Sequence, residues 1–312
     1  MLRWPSFSFL KGVNNLNKVS RWLKPLALLT VAALVWENPL TAKEAIAQAP
    51  VYLAQNVDSN SIRINVPPPE RTDNRICASD IDLVINSVIK SPSFASGRWG
   101  ILVESLNSKT TLYSHNPDRL LIPASNIKLL TTAAALQKFD PRAKYRSTSL
   151  GEWINVTNLR SNNNYADALL RSLGGPRAAQ EALRQLGVNS NSYRQVDGSG
   201  LSRQNAATPR ALVNLLRAMN FTNTREAFYS SLPVAGVSGT LRNRLRNTSA
   251  QGRVSAKTGT LRGVRALSGY LVHPDYGTIV FSILVNHPRQ SGALVGAIDE
   301  IVLQLSRMTP CR

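Results

Sequence analysis

The stretch LIPASNIKLLTTAAAL, residues 121–136, places Ile127, Leu129, Leu130, Ala133, Ala134, Ala135 and Leu136 on almost every side of the helix it predicts. A helix apolar on one stripe can lie on a surface, but one apolar all round must be enclosed. The fold therefore has to wrap this helix from several directions. A chain of 312 residues with 43% hydrophobic content can build a core large enough to do so. Pro123 precedes the helix, and Ser125 stands where a helix N-cap belongs.

The wrapping elements can be read on both sides. Ile81, Leu83, Val84, Ile85, Val88 and Ile89 suit a helix over 79–89 packed on a sheet, and GRWGILVES with TTLYS suits a hairpin. Further helices are predicted over 165–173, 177–186 and 209–219. VRALSGYLVHP and GTIVFSILVNHP predict adjacent strands joined by Asp275-Tyr276-Gly277, before a closing helix over 292–305. Strands at both ends with helices between them predict an α/β chain of the α+β type, with one mostly antiparallel sheet covered on both faces.

The N-terminal 49 residues read as an export signal or signal anchor. Lys11, Lys18, Arg21 and Lys24 precede the apolar run PLALLTVAALVW, and AIAQA supplies small residues for cleavage. Residues 50–76, with Pro67-Pro68-Pro69, read as an extended linker, and the folded domain is expected over 77–312. The expected location is the periplasm or cell envelope, with membrane association possible through the N-terminal segment. Removing 1–49 takes away six basic and two acidic residues and lowers the net charge from +19 to +15. Such a surface suits acidic wall or envelope polymers, or serves solubility alone. No motif favours nucleic acid.

Cys77 and Cys311 are expected to pair in an oxidising compartment, two free thiols being the alternative. His115, His273 and His287 have no metal-ligand spacing, so neither a metal nor another cofactor is implied.

Ser125 and Lys128 form a Ser-x-x-Lys pair, a cheap pattern that also occurs at Ser8 with Lys11 and Ser87 with Lys90. Only the Ser125 copy sits in a helix that must be buried. Burial lowers a lysine's pKa, as a base for the serine proton requires, and the helix start favours negative charge nearby. On this motif alone, nucleophile and capped helix start are level readings. Downstream, Ser161-Asn162-Asn163 and Lys257-Thr258-Gly259 follow in order, completing the motif set of penicillin-binding proteins and serine β-lactamases.

Each motif answers a need of acyl transfer. The amide N–H of Thr260, with that of Ser125, would form an oxyanion hole. Lys257, with the hydroxyls of Thr258 and Thr260, would hold a terminal carboxylate beside Gly259. Ser161 would relay a proton to the leaving amine, and Asn163 would position the acyl-chain amide. A Ser-His-Asp triad is disfavoured, since His273 and His287 precede prolines and there is no Gly-x-Ser-x-Gly elbow.

DGSGLSRQN (197–205), LPVAGVSGTLRNRL (232–245) and AKTGTLRGVRALSGYL (256–271) extend the likeness. The chain resembles the class C low-molecular-mass penicillin-binding proteins, which are D-alanyl-D-alanine carboxypeptidases and endopeptidases. That resemblance implies a five-stranded antiparallel sheet with helices on both faces, a helical subdomain, and the site between them. It also implies that Ser125 attacks peptidoglycan stem peptides through an acyl-enzyme and is acylated by β-lactams. Two departures stand out. Ser125 and Ser161 are only 36 positions apart where the family carries a large insertion, and Asn162 replaces a common Asp. The shortened GEWINVTNLR segment makes the placement of Ser161 and Asn163 the open structural question. A non-catalytic wall-binding relative is the alternative. A β-lactamase is a further one, though no Glu-x-x-x-Asn follows Ser-x-Asn.

Overall fold

Long strands that are apolar on both faces need cover on both sides, and this requirement organises the chain. The computed structural model describes residues 76–289 and 292–311; residues 1–75, with the expected export segment and most of the expected linker, lie outside the described residues. In chain order, the principal elements begin with helix α1 (Ile81–Ile89), strands β1 (Arg98–Ser105) and β2 (Thr111–His115), and helix α2 (Ile127–Lys138). Five helices follow: α3 (Leu150–Leu159), α4 (Asn163–Leu173), α5 (Pro176–Arg184), α6 (Pro209–Asn220) and α7 (Arg225–Ser230). Strands β3 (Val254–Leu261), β4 (Val264–His273) and β5 (Gly277–Asn286) and helix α8 (Ala293–Ser306) complete the set.

The five strands form one antiparallel sheet in the order β2-β1-β5-β4-β3. Strand alternation divides its side chains between two cores. Ile101 and Val103 of β1, Leu267 and Leu271 of β4, and Ile279, Phe281 and Ile283 of β5 join α1 and α8 on one face. Leu102, Tyr270, Val280 and Leu284 face the other core, with α2 and α6. The α+β architecture read from the sequence is therefore present, with helices on both faces.

Within the second core, α2 is enclosed as its composition demanded: every residue from Ile127 to Leu136 is buried. Neighbouring α3, α4, α5 and α6 surround it where it does not meet the sheet. A polar chain fixes its start to the sheet centre, Asn126 Nδ2 donating to Ser268 Oγ at 2.7 Å and Ser268 Oγ to Ser282 Oγ at 2.9 Å.

Three local readings change. Ser125 is not the cap: it lies in a single 3₁₀ turn, Ala124–Asn126, and the helix begins after Asn126 without a side-chain cap. The GEWINVTNLR segment is a full helix, α3, whose start is capped by Ser149 Oγ accepting from Glu152 N–H at 3.2 Å. Its apolar positions Leu150, Trp153 and Ile154 are spaced for one buried face, a periodicity passed over in the sequence. Ile76, assigned to the linker, pairs with Met308 in a short parallel bridge, and the adjacent Cys77 is disulfide-bonded to Cys311. Among the described residues no helix is long and apolar enough to cross a membrane.

Candidate active site

Four chain segments converge at the N-terminal end of α2. The 121–126 stretch runs over the sheet: Asn286, at the end of β5, grips Ile122 through both its amide atoms, and Gly259 of β3 lies against Pro123. A Cβ on Gly259 would stand 2.6 Å from Pro123 O, so only glycine permits this approach. On the opposite side, a Cβ on Gly200 would lie 2.0 Å from Ala124 O. Because the peptide is trans, the N–H of Ser125 leaves from the edge opposite that carbonyl.

Donors in the turn are used from Asn126 onward, Asn126 N–H going to Pro123 O and Ile127 N–H to Ala124 O. The Ser125 N–H thus precedes the first amide that the turn satisfies. Strand β3 is an edge strand, and Ala256 N–H already points away from β4, toward Pro233 O at 2.9 Å. Strand alternation sends the N–H groups of Thr258 and Thr260 from that same edge. Two amides are therefore available on the flank where Gly259 meets the Ser125 turn, the supply an oxyanion hole requires.

Lys128 is fully buried, one turn beyond Ser125. Its Nζ lies 3.0 Å from Ser125 Oγ and 2.8 Å from Asn163 Oδ1, and it also donates to the carbonyl of Ser199. Asn163 Oδ1 and Ser199 O can only accept. In the neutral amine they take both N–H groups and leave the lone pair facing the Ser125 hydroxyl. Desolvation lowers the Lys128 pKa to about 8, against an opposing pull from the Asp167 and Asp197 carboxylates.

Ser161 and Lys257 form a second hydroxyl–amine pair. Lys257 Nζ donates to Ser161 Oγ at 2.9 Å and to Thr258 O at 3.0 Å, and the side chain is fully buried. Burial first, then the charge of Lys128, pulls its pKa well below the usual lysine value. Ser161 has a left-handed backbone, φ 55°, as does Ala124 ahead of Ser125, φ 48°. Such conformations cost on the order of 1–3 kcal/mol in residues other than glycine and are found where a side chain must be aimed. Asn162, the departure from the common Asp, caps α4 by accepting from Tyr165 N–H at 3.1 Å. Asn and Asp serve equally as caps, so the exchange leaves the motif's geometry intact.

The structure thus brings together Ser125, Lys128, Ser161, Asn163 and Lys257, with Thr258, Gly259 and Thr260 along the adjoining edge. It gives Asn163 a partner the sequence reading had not assigned, the amine of Lys128. It also gives structural roles to residues that the sequence shows only as part of the longer likeness, and to Asp167, which lies outside it. Asp197 accepts from Gly200 N–H, Ser202 N–H and Asn205 Nδ2 at 2.6, 2.7 and 2.9 Å, fixing the loop that carries Ser199. Asp167 accepts from Gly198 N–H at 2.9 Å. Thr240 Oγ1 lies 2.7 Å from Thr258 Oγ1, and Gly239 packs against Leu159 O at the end of α3. These residues belong to, or bond directly to, the DGSG and SGTL runs, where acid–Gly and Gly–Thr spacing was the available signal. His273 and His287 are engaged elsewhere, in the β4–β5 turn and with Ser96.

A solved structure of penicillin binding protein 4 from Haemophilus influenzae, complexed with a β-lactam, superposes with a TM-score of 0.60 at 14% identity. The match covers 73% of this chain and 98% of that one. A β-lactamase from Streptomyces albus G gives 0.59 at 21% identity, over 73% and 98%. The fold is that of penicillin-binding proteins and serine β-lactamases. A family model described as the D-Ala-D-Ala carboxypeptidase 3 (S13) family matches residues 82–150 and 142–306, and the chain belongs to that family. A D-alanyl-D-alanine carboxypeptidase of Actinomadura sp. (strain R39) is 39% identical over 180 residues, 53% of this chain and 33% of that protein. The chain spans about a third of the length of the curated relatives it matches.

Proposed function

We propose that the protein is a serine-type D-Ala-D-Ala carboxypeptidase or endopeptidase acting on peptidoglycan stem peptides in the cell envelope. The observation that carries this reading is the contact of Lys128 Nζ with Ser125 Oγ, Asn163 Oδ1 and Ser199 O, which suits a neutral amine turned toward a serine hydroxyl. Lys128 takes the Ser125 proton as Oγ bonds to the carbonyl carbon of the penultimate D-Ala. The N–H groups of Ser125 and Thr260 receive the oxyanion. Collapse breaks the C–N bond. Ser161 relays to the departing amine the proton that Lys128 took, leaving Lys128 neutral, and Thr258 and Lys257 hold the terminal carboxylate. Water then cleaves the ester and restores Ser125. β-Lactams acylate the same oxygen, the opened ring keeping its leaving nitrogen attached.

Export is part of the proposal, supported by the basic-then-apolar N-terminal sequence and by the Cys77–Cys311 pairing, which suits an oxidising compartment. Intact-protein mass spectrometry after exposure to labelled penicillin tests the chemistry and the N-terminus together. The expected spectrum has one adduct, mapped to Ser125, with D-Ala released from a stem-peptide mimic in parallel. Neither adduct nor release would sink the reading. Wall binding that survives Ser125→Ala, without acylation of the parent, would favour the non-catalytic alternative.

A further inference from the structure

Five ion pairs are described in the body, and four of their arginines, Arg184, Arg210, Arg217 and Arg244, lie on a carboxylate at 2.6 to 2.8 Å. Arg98, Arg203 and Arg262 belong to none of these pairs. All three are exposed and line one cavity of about 730 Å³ at the end of the sheet, together with Ser96, Ile122, Asn286 and His287, and among the described residues no acidic side chain lines it. The site is assembled from distant parts of the chain: the first residue of β1, the loop after Gly200, the β3–β4 turn, and the residue after β5.

The lining is held in place. Gly263 packs so tightly that a Cβ there would stand 2.5 Å from His287 O, locking the β3–β4 turn to the chain beyond β5. Arg203 Nη1 donates to Arg262 O at 3.0 Å, which keeps two like charges together. His287 Nε2 lies 2.8 Å from Ser96 Oγ. When that nitrogen donates to Ser96, the serine's own hydrogen is left to donate into the cavity. The wall then offers guanidinium groups from three chain segments and a hydroxyl. A planar carboxylate satisfies one guanidinium fork, whereas a tetrahedral phosphate presents oxygens to donors on several sides.

We propose that this cavity is a phosphate-binding site that anchors the protein to a phosphate-bearing anionic polymer. The cavity shares Ile122 and Asn286 with the stretch that leads to Ser125, but its three arginines make no described bond to Ser125, Lys128, Ser161, Asn163 or Lys257, so the anchoring does not depend on acylation, and the inference stands whether or not the peptidase reading holds.

The test is calorimetric titration of the full chain with inorganic phosphate, a glycerol-phosphate oligomer and a polyglutamate of matched charge, repeated at two salt concentrations. Saturable binding of the phosphate oligomer is expected, weakening as salt rises. The Arg98→Gln/Arg262→Gln double variant should bind it at least about tenfold more weakly at unchanged melting temperature. A charge-matched control, Arg171→Gln/Arg177→Gln on exposed positions of α4 and α5, should bind like the parent. Equal losses in the two double variants would reduce the effect to general surface charge and overturn the site. Equal or tighter binding of polyglutamate would overturn its phosphate preference, and no saturable binding would overturn the proposal entirely.

Discussion

Gly259→Ala isolates the requirement that β3 and the Ser125 turn touch through their backbones. The added Cβ would meet Pro123 O at 2.6 Å, Ala266 Cβ at 3.0 Å and Ala124 Cβ at 3.3 Å. The carbonyl contact falls 0.4 Å short of the 3.0 Å that marks the lower limit for real Cβ atoms, and the atom it meets is backbone, so the strand or the turn must retreat. Overpacking of this kind costs about 1–3 kcal/mol of stability. For a body of this size, each kcal/mol lowers the melting temperature by roughly 2–4 °C. The catalytic loss is expected to be larger than the stability loss, because the retreat separates the Thr260 amide from Ser125; a displacement approaching 1 Å costs about 100-fold in rate. Stopped-flow acylation by a fluorescent penicillin, run beside thermal melts, reads both quantities. Gly296→Ala is the control: it lies in α8 with open space around its missing Cβ, and should raise stability by about 0.5–1 kcal/mol with acylation unchanged. Native acylation in Gly259→Ala would refute the role of this approach, and a parallel fall in Gly296→Ala would refute its locality.

The proposed mechanism calls for neutral Lys128, whose pKa is lowered to about 8, so the acylation rate should rise with pH and level off above that value. At pH 6 only about one molecule in a hundred carries the neutral amine, and a flat profile between pH 6 and 9 would remove Lys128 as the base. Asp197→Asn turns an amide N–H₂ toward groups that donate to the carboxylate now, and should cost about 1.5–3 kcal/mol. Because the Asp197 charge raises the Lys128 pKa, its removal should also move the acylation midpoint to lower pH; an upward move would contradict the electrostatic assignment. Reduction of Cys77–Cys311 opens a loop spanning 234 positions, for which chain entropy gives a loss of up to about 5 kcal/mol. A melt unchanged by reductant would show that the terminal contacts hold without the bond.

The enclosed helix follows from composition, because a helix apolar on all sides leaves no surface alternative, and α2 is buried from Ile127 to Leu136. The hairpin and the final strand pair follow from alternation and turn residues, which are local signals. The order of Ser125, Lys128, Ser161, Asn163, Lys257 and Thr258 was equally visible. How those residues meet depends on long-range packing. Ser161 reaches Lys257 because α3 fills the short segment and a left-handed residue turns the chain into α4. The lone pair of Lys128 is aimed by Asn163, 35 positions away, and by a carbonyl 71 positions away, and no local pattern encodes a carbonyl's direction. The spacing of motifs along a chain records which groups are present. Their distances and protonation follow from long-range packing and desolvation, which exist only once the core has closed around them.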